Sequence, residues 1–286
     1  MTHETTIQIL CDNLREFSER QSRAQKQRTL TVEMLCDHIL SEGKDTDIQE
    51  LYRQFLACIP ATQPIDQAIA CLKFAAIHKA PIHDPLGLFD AEEGVAAGSH
   101  GRIALVRNRY NEQAFERFSP IILKAKPSYA SSFAQACEDV ADSRCEFCIL
   151  PIENQENGRL FGFYAMMDRY ELKICASCTL ENDNARIRCA LVGNSIPDRL
   201  PKGTDQRLEF SVTQPIGSFP SDILDLADAL AAQTLRVDSI PVRYDDGLQR
   251  FFFTFRLTTQ AAQAFHLYLS ANHTAYTPIG FYTALP

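Results

Sequence analysis

Ile7, Leu10, Leu14 and Phe17 recur at spacings of three and four, the stripe of a helix with one buried face. The polar, basic stretch Arg20–Arg28 reads as a solvated continuation of that helix. Thr31 stands where it can cap a second stripe made of Val32, Leu35, Cys36, Ile39 and Leu40. Asp45, Thr46 and Asp47 precede Ile48, Leu51, Tyr52 and Phe55. Pro64 opens a further run of Ile65, Ala68, Ile69, Leu72 and Ala75. Residues 1–90 therefore read as a helical region. Pro81, Pro85, Gly87, Gly94, Gly98 and Gly101 then mark a linker or irregular crossover.

The period changes after residue 100. Ile103–Val106, Phe147–Ile152, Leu172–Cys175 and Ala190–Val192 are short apolar runs of strand length. Asn111–Phe118 and Phe133–Val140 carry helical spacing between them. Residues 100–198 thus read as a βαβ-type α/β lobe. Residues 205–286 show another order. Leu208–Val212 alternates as a strand, and Ser221 is positioned to cap a helix through Leu230. Leu235–Ile240 is a strand, Asp245-Asp246-Gly247 a turn, and Phe251–Leu257 an aromatic strand. Gln260–Leu269 reads as a helix and Ile279–Leu285 as a last strand. This β-α-β-β-α-β order is the ferredoxin-like unit of an α+β fold. The apolar face of Phe251, Phe253 and Phe255 and the open strand edge favour burial against a second copy.

Composition narrows the function classes. The 286 residues carry a net charge of −8, with no general attraction for phosphate backbones, so nucleic acid is not an expected partner. No apolar run approaches the roughly 20 residues that span a bilayer, so no membrane association is expected. The opening Met1-Thr2-His3-Glu4 lacks a basic-then-apolar leader, so the expected location is cytoplasmic. The ten cysteines are then expected reduced. Cys145-x-x-Cys148 and Cys175-x-x-Cys178 have the spacing of zinc ligands. Residues three apart on a strand point to opposite faces, however, and neither pair has a glycine turn, so no metal is expected. No cofactor is called for. His266 and His273 stand alone near apolar residues and read as packing or surface groups.

Cys145-Glu146-Phe147-Cys148-Ile149-Leu150-Pro151-Ile152-Glu153-Asn154 resembles the "ADYAVVPIEN" signature of prephenate dehydratase. Gly158, Met167-Asp168 and Leu172-Lys173-Ile174 follow in the family's order. Arg102–Leu105 with Tyr110–Ala114 is similar to its opening strand and helix. Ile216-Gly217-Ser218-Phe219, Asp238-Ser239-Ile240-Pro241, and Gly280 with Tyr282 resemble the "PGAL", "ESRP" and "LGxYP" segments of the phenylalanine-binding ACT domain that follows it. With the helical N-terminal region, the layout is similar to the bifunctional chorismate mutase–prephenate dehydratase, a match there of position only. The resemblance implies a periplasmic-binding-protein-like dehydratase lobe, here truncated, and a ferredoxin-like ACT domain.

The departures bear on chemistry. About 30 residues separate Ile174 from the C-terminal unit, where the family has a second lobe. No T-R-F string, which carries the family's leading catalytic threonine, occurs; Ala185-Arg186-Ile187 and Ile187-Arg188-Cys189 are the nearest. Arg107-Asn108-Arg109 replaces the "GPxGT" loop. Expelling a hydroxyl needs a positioned proton donor, and two carboxylates need donors from both walls of a cleft. Glu153, Asn154, Arg107 and Arg109 are therefore expected as remnants of a substrate site, with Arg159 a further carboxylate-gripping candidate. Catalytic residues are not assigned. Gly217, Ser218, Phe219, Asp238, Ser239 and Pro241 are the expected effector site, with the backbone at Gly217 open to a small ligand.

The leading expectation is a protein of L-phenylalanine metabolism, degenerate in catalysis. It would bind an aromatic acid or amino acid and form a homodimer through residues 205–286. An active dehydratase completed by another subunit or by the N-terminal helices stands beside it, as does a unit serving only dimer formation.

Overall fold

One helix, α1 (His3–Glu42), runs through both N-terminal stripes without a break. The expected cap at Thr31 is therefore wrong: its hydroxyl donates to the Gln27 carbonyl inside the helix. The Gln, Arg and Lys residues between the stripes are good helix formers and leave nothing to stop it. The computed structural model describes residues 3–43, 46–59, 63–77, 101–122, 124–154, 156, 158–182, 185–194, 205–242 and 245–286. The linker expected near 80–100 lies almost wholly outside them. Asp47 caps α2 (Ile48–Cys58) by accepting from the Gln49 amide, and Pro64 opens α3 (Pro64–Ile77). Arg28 clamps α1 to α3 through the buried carboxylate of Asp66, at 2.6 Å.

The α/β part contains β1 (Arg102–Val106), α4 (Arg109–Phe118), β2 (Lys126–Ala130), α5 (Phe133–Ala141) and β3 (Phe147–Asn154). It continues with the two-residue β4 (Gly158–Arg159), α6 (Phe161–Tyr170), β5 (Lys173–Asn182) and β6 (Ala185–Gly193). Asn108 and Ser132 cap α4 and α5. The apolar pattern misses β2 because most of its side chains face water. The C-terminal part is β7 (Gln206–Pro215), α7 (Ser221–Ala229), β8 (Gln233–Pro241), β9 (Leu248–Arg256), α8 (Thr259–Asn272) and β10 (Tyr276–Leu285). This is the expected β-α-β-β-α-β order. Ser221 is the first residue inside α7 rather than its cap; Pro220 precedes it without a side-chain bond.

The two parts share one ten-stranded sheet, ordered β2-β1-β3-β6-β5-β10-β7-β9-β8, with β4 paired to β3. Among the described strands, only β1 with β2, β1 with β3, and β5 with β10 run parallel. The boundary read at 198–205 thus crosses continuous strand pairing. Gly280 makes that junction possible: a Cβ there would lie 2.7 Å from the Ile174 carbonyl oxygen.

Helices α7 and α8 cover one face of the C-terminal strands, and α2 and α3 pack on those helices. Phe210, Phe251, Phe253, Phe255 and Phe265 form a run of ring contacts there, in one apolar cluster that extends to α2 and α3 residues such as Phe55 and Phe74. The phenylalanine face expected to need a second copy is buried within the chain. Helices α5 and α6 cover the opposite face around Phe163, Tyr164, Phe252 and Tyr282, and α4 packs on Ile103, Leu105 and Ile149.

Candidate functional site

Two rows of polar side chains face each other across the β5–β10 junction. In the first, Glu153 on β3 pairs in register with Arg188 on β6, which pairs with Thr179 on β5. In the second, Glu209 on β7 pairs with Thr254 on β9, which pairs with Arg236 on β8. Strand alternation puts Arg186 on the face of Arg188, and Arg207 on that of Glu209. A cavity of about 400 Å³ opens between the rows, its walls including Glu153, Asn154, Thr179, Arg186, Arg188, Arg207, Arg236 and Thr254. The sequence led us to expect one wall; the C-terminal unit supplies the other.

Charge is layered around this cavity. Glu209 sits behind it, fully buried. It accepts from Arg159 Nη1 at 3.0 Å, from the Tyr282 hydroxyl at 2.7 Å and from the Tyr164 hydroxyl, with Arg188 Nη2 at 3.9 Å. Burial pushes its pKa up, but Arg159, Arg188 and the two tyrosines outweigh that and hold the carboxyl below its ordinary value. Burial and the Glu209 charge raise the Tyr164 pKa well above normal. Tyr282 is raised for the same first cause, only partly offset by Arg188. Both phenols therefore stay protonated and committed to Glu209.

Arg159 also donates to Thr254 Oγ1 at 2.8 Å, and its Nε lies 2.7 Å from Asp238 Oδ2. Arg236 Nε approaches the same Asp238 oxygen at 2.7 Å, and Arg236 Nη1 lies 2.9 Å from Glu153 Oε1. Both contacts with Asp238 are ion pairs out of line for a hydrogen bond, since Oδ2 has no hydrogen-bond partner. Arg188 donates to Tyr282 but keeps a buried Nε with no partner. Burial lowers the Arg188 pKa, yet Tyr282, Glu209, Tyr164 and Glu153 more than reverse this, so the guanidinium stays charged.

Lining the cavity are four arginines and one carboxylate, Glu153. The acids that balance the arginines, Glu209, Asp238, Asp205 and Glu181, are absent from its walls. Guanidinium forks present paired donors to a planar anion, so this arrangement suits a small carboxylate.

The residues expected from sequence separate into several places. Glu153 and Asn154 line the cavity. Arg107 and Arg109 do not: Arg107 lies 3.8 Å from Glu112 and over the Tyr129 ring, and Arg109 is exposed at the start of α4. Arg159 is locked behind the cavity by three partners and is not free to grip a ligand. Gly217, Ser218 and Phe219 form an exposed turn with Gly217 at φ +87°, and Phe219 packs edge-on to Phe251. Ser239 and Pro241 alternate with Asp238 on β8, so Asp238 faces the arginine network while those two face the helical side.

Sequence reasoning missed Arg236, Arg207, Glu209, Thr179 and Thr254. The signal available was an ionisable residue in an apolar strand, as in Leu208-Glu209-Phe210. The opposite-face expectation also fails for both cysteine pairs: Cys145 lies before β3 and joins Cys148 in one apolar cluster. A bulge between Ile174 and Ala176 turns Cys175 and Cys178 into the same apolar cluster, beside Cys189. Burial pushes each of these three thiols up to about 12. Among the described residues no group of three or more His, Cys, Asp or Glu is placed to hold a metal ion. No described helix is long and apolar enough to cross a membrane.

No protein-family model matches the sequence, and no curated protein matches it at a significant level. Solved structures do match the fold. Prephenate dehydratase from Streptococcus mutans superposes with a TM-score of 0.54 at 16% identity, over 65% of this chain and 99% of that one. GqqA, described as a novel type of quorum quenching acylase, gives 0.52 at 18% identity, over 64% and 95%. Prephenate dehydratase from Arthrobacter aurescens, in complex with L-Phe, gives 0.50 at 14% identity, over 64% and 89%. At these identities the likeness is one of fold, which alone does not set the chemistry: the chain has a prephenate-dehydratase-like fold.

Proposed function

We propose that this chain is a prephenate-dehydratase-like protein of aromatic amino-acid metabolism. It binds a small aromatic acid or amino acid in the arginine-lined cavity and acts by regulation or association rather than by turning prephenate over. One observation carries the reading: four arginines face the cavity while most of their counter-charges stand outside its walls, and the buried Arg188 Nε lacks a partner. A bound carboxylate supplies a further acceptor to the guanidinium groups on the cavity walls. Against turnover stands the lack of a free acid among the described residues at the cavity, because Tyr164 and Tyr282 are committed to Glu209 and Glu153 is paired with Arg236. The fold neighbour in complex with L-Phe makes phenylalanine a natural probe.

The test is calorimetric titration with prephenate, phenylpyruvate and L-phenylalanine. Binding of at least one is expected. Arg186→Gln, at an exposed position, and Arg236→Gln, at a partly exposed one, should each weaken it roughly 10- to 100-fold, the range of a charge-assisted hydrogen bond. Absence of binding across the panel, or full affinity in both variants, refutes the cavity as the site. The turn at Gly217 is the alternative location. If Gly217→Val abolishes the response and the arginine variants keep it, the ligand belongs to that turn.

A second reading, an active dehydratase, is favoured by Thr179. The sequence lacks a threonine beside Arg188, but strand pairing puts Thr179 directly opposite it on the cavity wall. Phenylpyruvate release at an ordinary enzyme rate of about 1–10³ s⁻¹, abolished by Thr179→Val, would establish this reading instead.

A further inference from the structure

Among the described residues, Glu153 is the one carboxylate on the walls of the arginine-lined cavity. Its two oxygens face different arginines. Oε1 lies 2.9 Å from Nη1 of Arg236 on β8, and Oε2 lies 3.9 Å from Nη1 of Arg188 on β6. Strands β3 and β8 are not neighbours, since β6, β5, β10, β7 and β9 stand between them in the sheet. The contact between Glu153 and Arg236 is therefore no product of strand pairing. It reaches over the polar face from one row of side chains to the other.

Both arginines keep other partners when Glu153 is set aside. Arg236 has Asp238 at 2.7 Å, and Arg188 has the Tyr282 hydroxyl, with Glu209 at 3.9 Å. These partners stand behind the cavity and hold the two guanidinium groups in place. Glu153 is the member of the trio with room to leave. Its side chain is 37% exposed, against 12% for Arg188, and it is the penultimate residue of β3. A carboxylate held between guanidinium groups from opposite walls presents what a bound acid would present there: one negative charge and two coplanar acceptor oxygens. Glu153 and a ligand carboxylate cannot share that place, because two like charges at contact distance repel strongly away from bulk water.

We propose that Glu153 is an internal stand-in for the ligand's carboxylate, which occupies the bridge between Arg188 and Arg236 in the free chain and swings to solvent when an acid binds. The inference rests on the reading of the cavity as an acid-binding site. It adds the place of the ligand's carboxylate and an internal competitor that sets the affinity. Part-exposed ion pairs are weak, so one acid exchanges readily for another. Arg186, Arg207, Thr179 and Thr254 are left for the rest of the ligand. The rival role for Glu153, a tie that holds β3 against β8, makes the opposite prediction. Cutting a tie loosens the cavity and weakens binding, whereas removing a competitor strengthens it.

Calorimetric titration of phenylpyruvate and L-phenylalanine into the wild type and Glu153→Gln tests this. Glutamine keeps the size of the side chain and removes its charge. The variant should bind at least about fivefold more tightly, the worth of one part-exposed ion pair together with the relief of repulsion. Glu153→Asp keeps the charge on a shorter side chain and should gain less. The methyl esters of the two probes carry no carboxylate to compete for the bridge and should show no gain. Equal or weaker binding of the acids by Glu153→Gln overturns the stand-in and leaves the cavity reading intact. An equal gain for the esters also overturns it, because charge would then not be what competes. Absence of binding of both acids to wild type and variant alike overturns the stand-in and the cavity reading together.

Discussion

Glu209→Gln removes one negative charge from the most buried part of the site and keeps nearly the same shape. Tyr164 and Tyr282 donate to different oxygens of the carboxylate, so the glutamine oxygen keeps one of these bonds and the other hydroxyl meets the amide NH2. Arg159, 3.0 Å from the original carboxylate, and Arg188, 3.9 Å from it, lose a counter-charge they cannot replace with water. Breaking a buried ion pair from one side costs about 3–5 kcal/mol, because the stranded charge retains its desolvation penalty. An unfolding entropy of about 2.1 cal/mol/K per residue over this chain gives roughly 0.6 kcal/mol/K, so the midpoint should fall by about 5–8 °C. The assay is thermal unfolding of both proteins across pH. Glu209 has a folded pKa below its unfolded value. Its contribution is therefore present above the unfolded pKa of roughly 4.3 and is lost as pH falls through the folded value. The difference between wild type and variant should be full at pH 7 and shrink in acid. Glu153→Gln, at a partly exposed position on the cavity rim, serves as the control and should cost under about 1 kcal/mol. A fall below about 2 °C for Glu209→Gln at pH 7, or an equal difference at pH 7 and in acid, would refute the counter-ion role.

Gly280→Ala should destabilise the chain by about 1–3 kcal/mol in urea, because the added carbon meets the Ile174 backbone at 2.7 Å where β10 joins β5; an unchanged midpoint would mean that the junction can open without cost. Asp205 is opposed by burial but held at about 2 by hydrogen bonds from Arg207 and Arg256. Its folded pKa lies below the unfolded one, so its contribution is present above about pH 4 and disappears toward pH 2. Asp205→Asn should therefore lose stability at neutral pH and flatten the acid limb, as read from unfolding midpoints between pH 2 and 7. Phe219→Ala removes the edge-on contact with Phe251 and should cost about 0.5–1.5 kcal/mol by chemical denaturation; a larger loss would show that the exposed turn carries more of the fold than this one ring contact.

Local pattern determined much of this protein. Spacings of three and four located the N-terminal helices, short apolar runs located β1, β3, β5 and β6, and turn chemistry at Asp245-Asp246-Gly247 helped to order the last six elements. Those signals act between near neighbours, so a single chain displays them. The words around Glu153 and Asn154 likewise pointed to the end of β3, where the cavity opens. What sequence did not reveal depends on partners distant along the chain. Nothing in Ile7, Leu10, Leu14 and Phe17 says that α2 and α3 stop short of them, so a stripe read as buried stands in water. Nothing in Phe251–Phe255 says that its apolar face is already buried within the chain, under helices backed by the N-terminal region. Arg159 and Arg188 are alike as letters. Pairing of β4 with β3 ties one behind the cavity to Glu209 and Asp238, while pairing of β6 between β3 and β5 leaves the other facing the opening with a donor to spare. The same holds for Thr179, nine positions from Arg188 in sequence and directly opposite it in the sheet. Burial and charge compensation are properties of the assembled sheet: they depend on which strands lie side by side, and the apolar period of a strand carries no record of its neighbours.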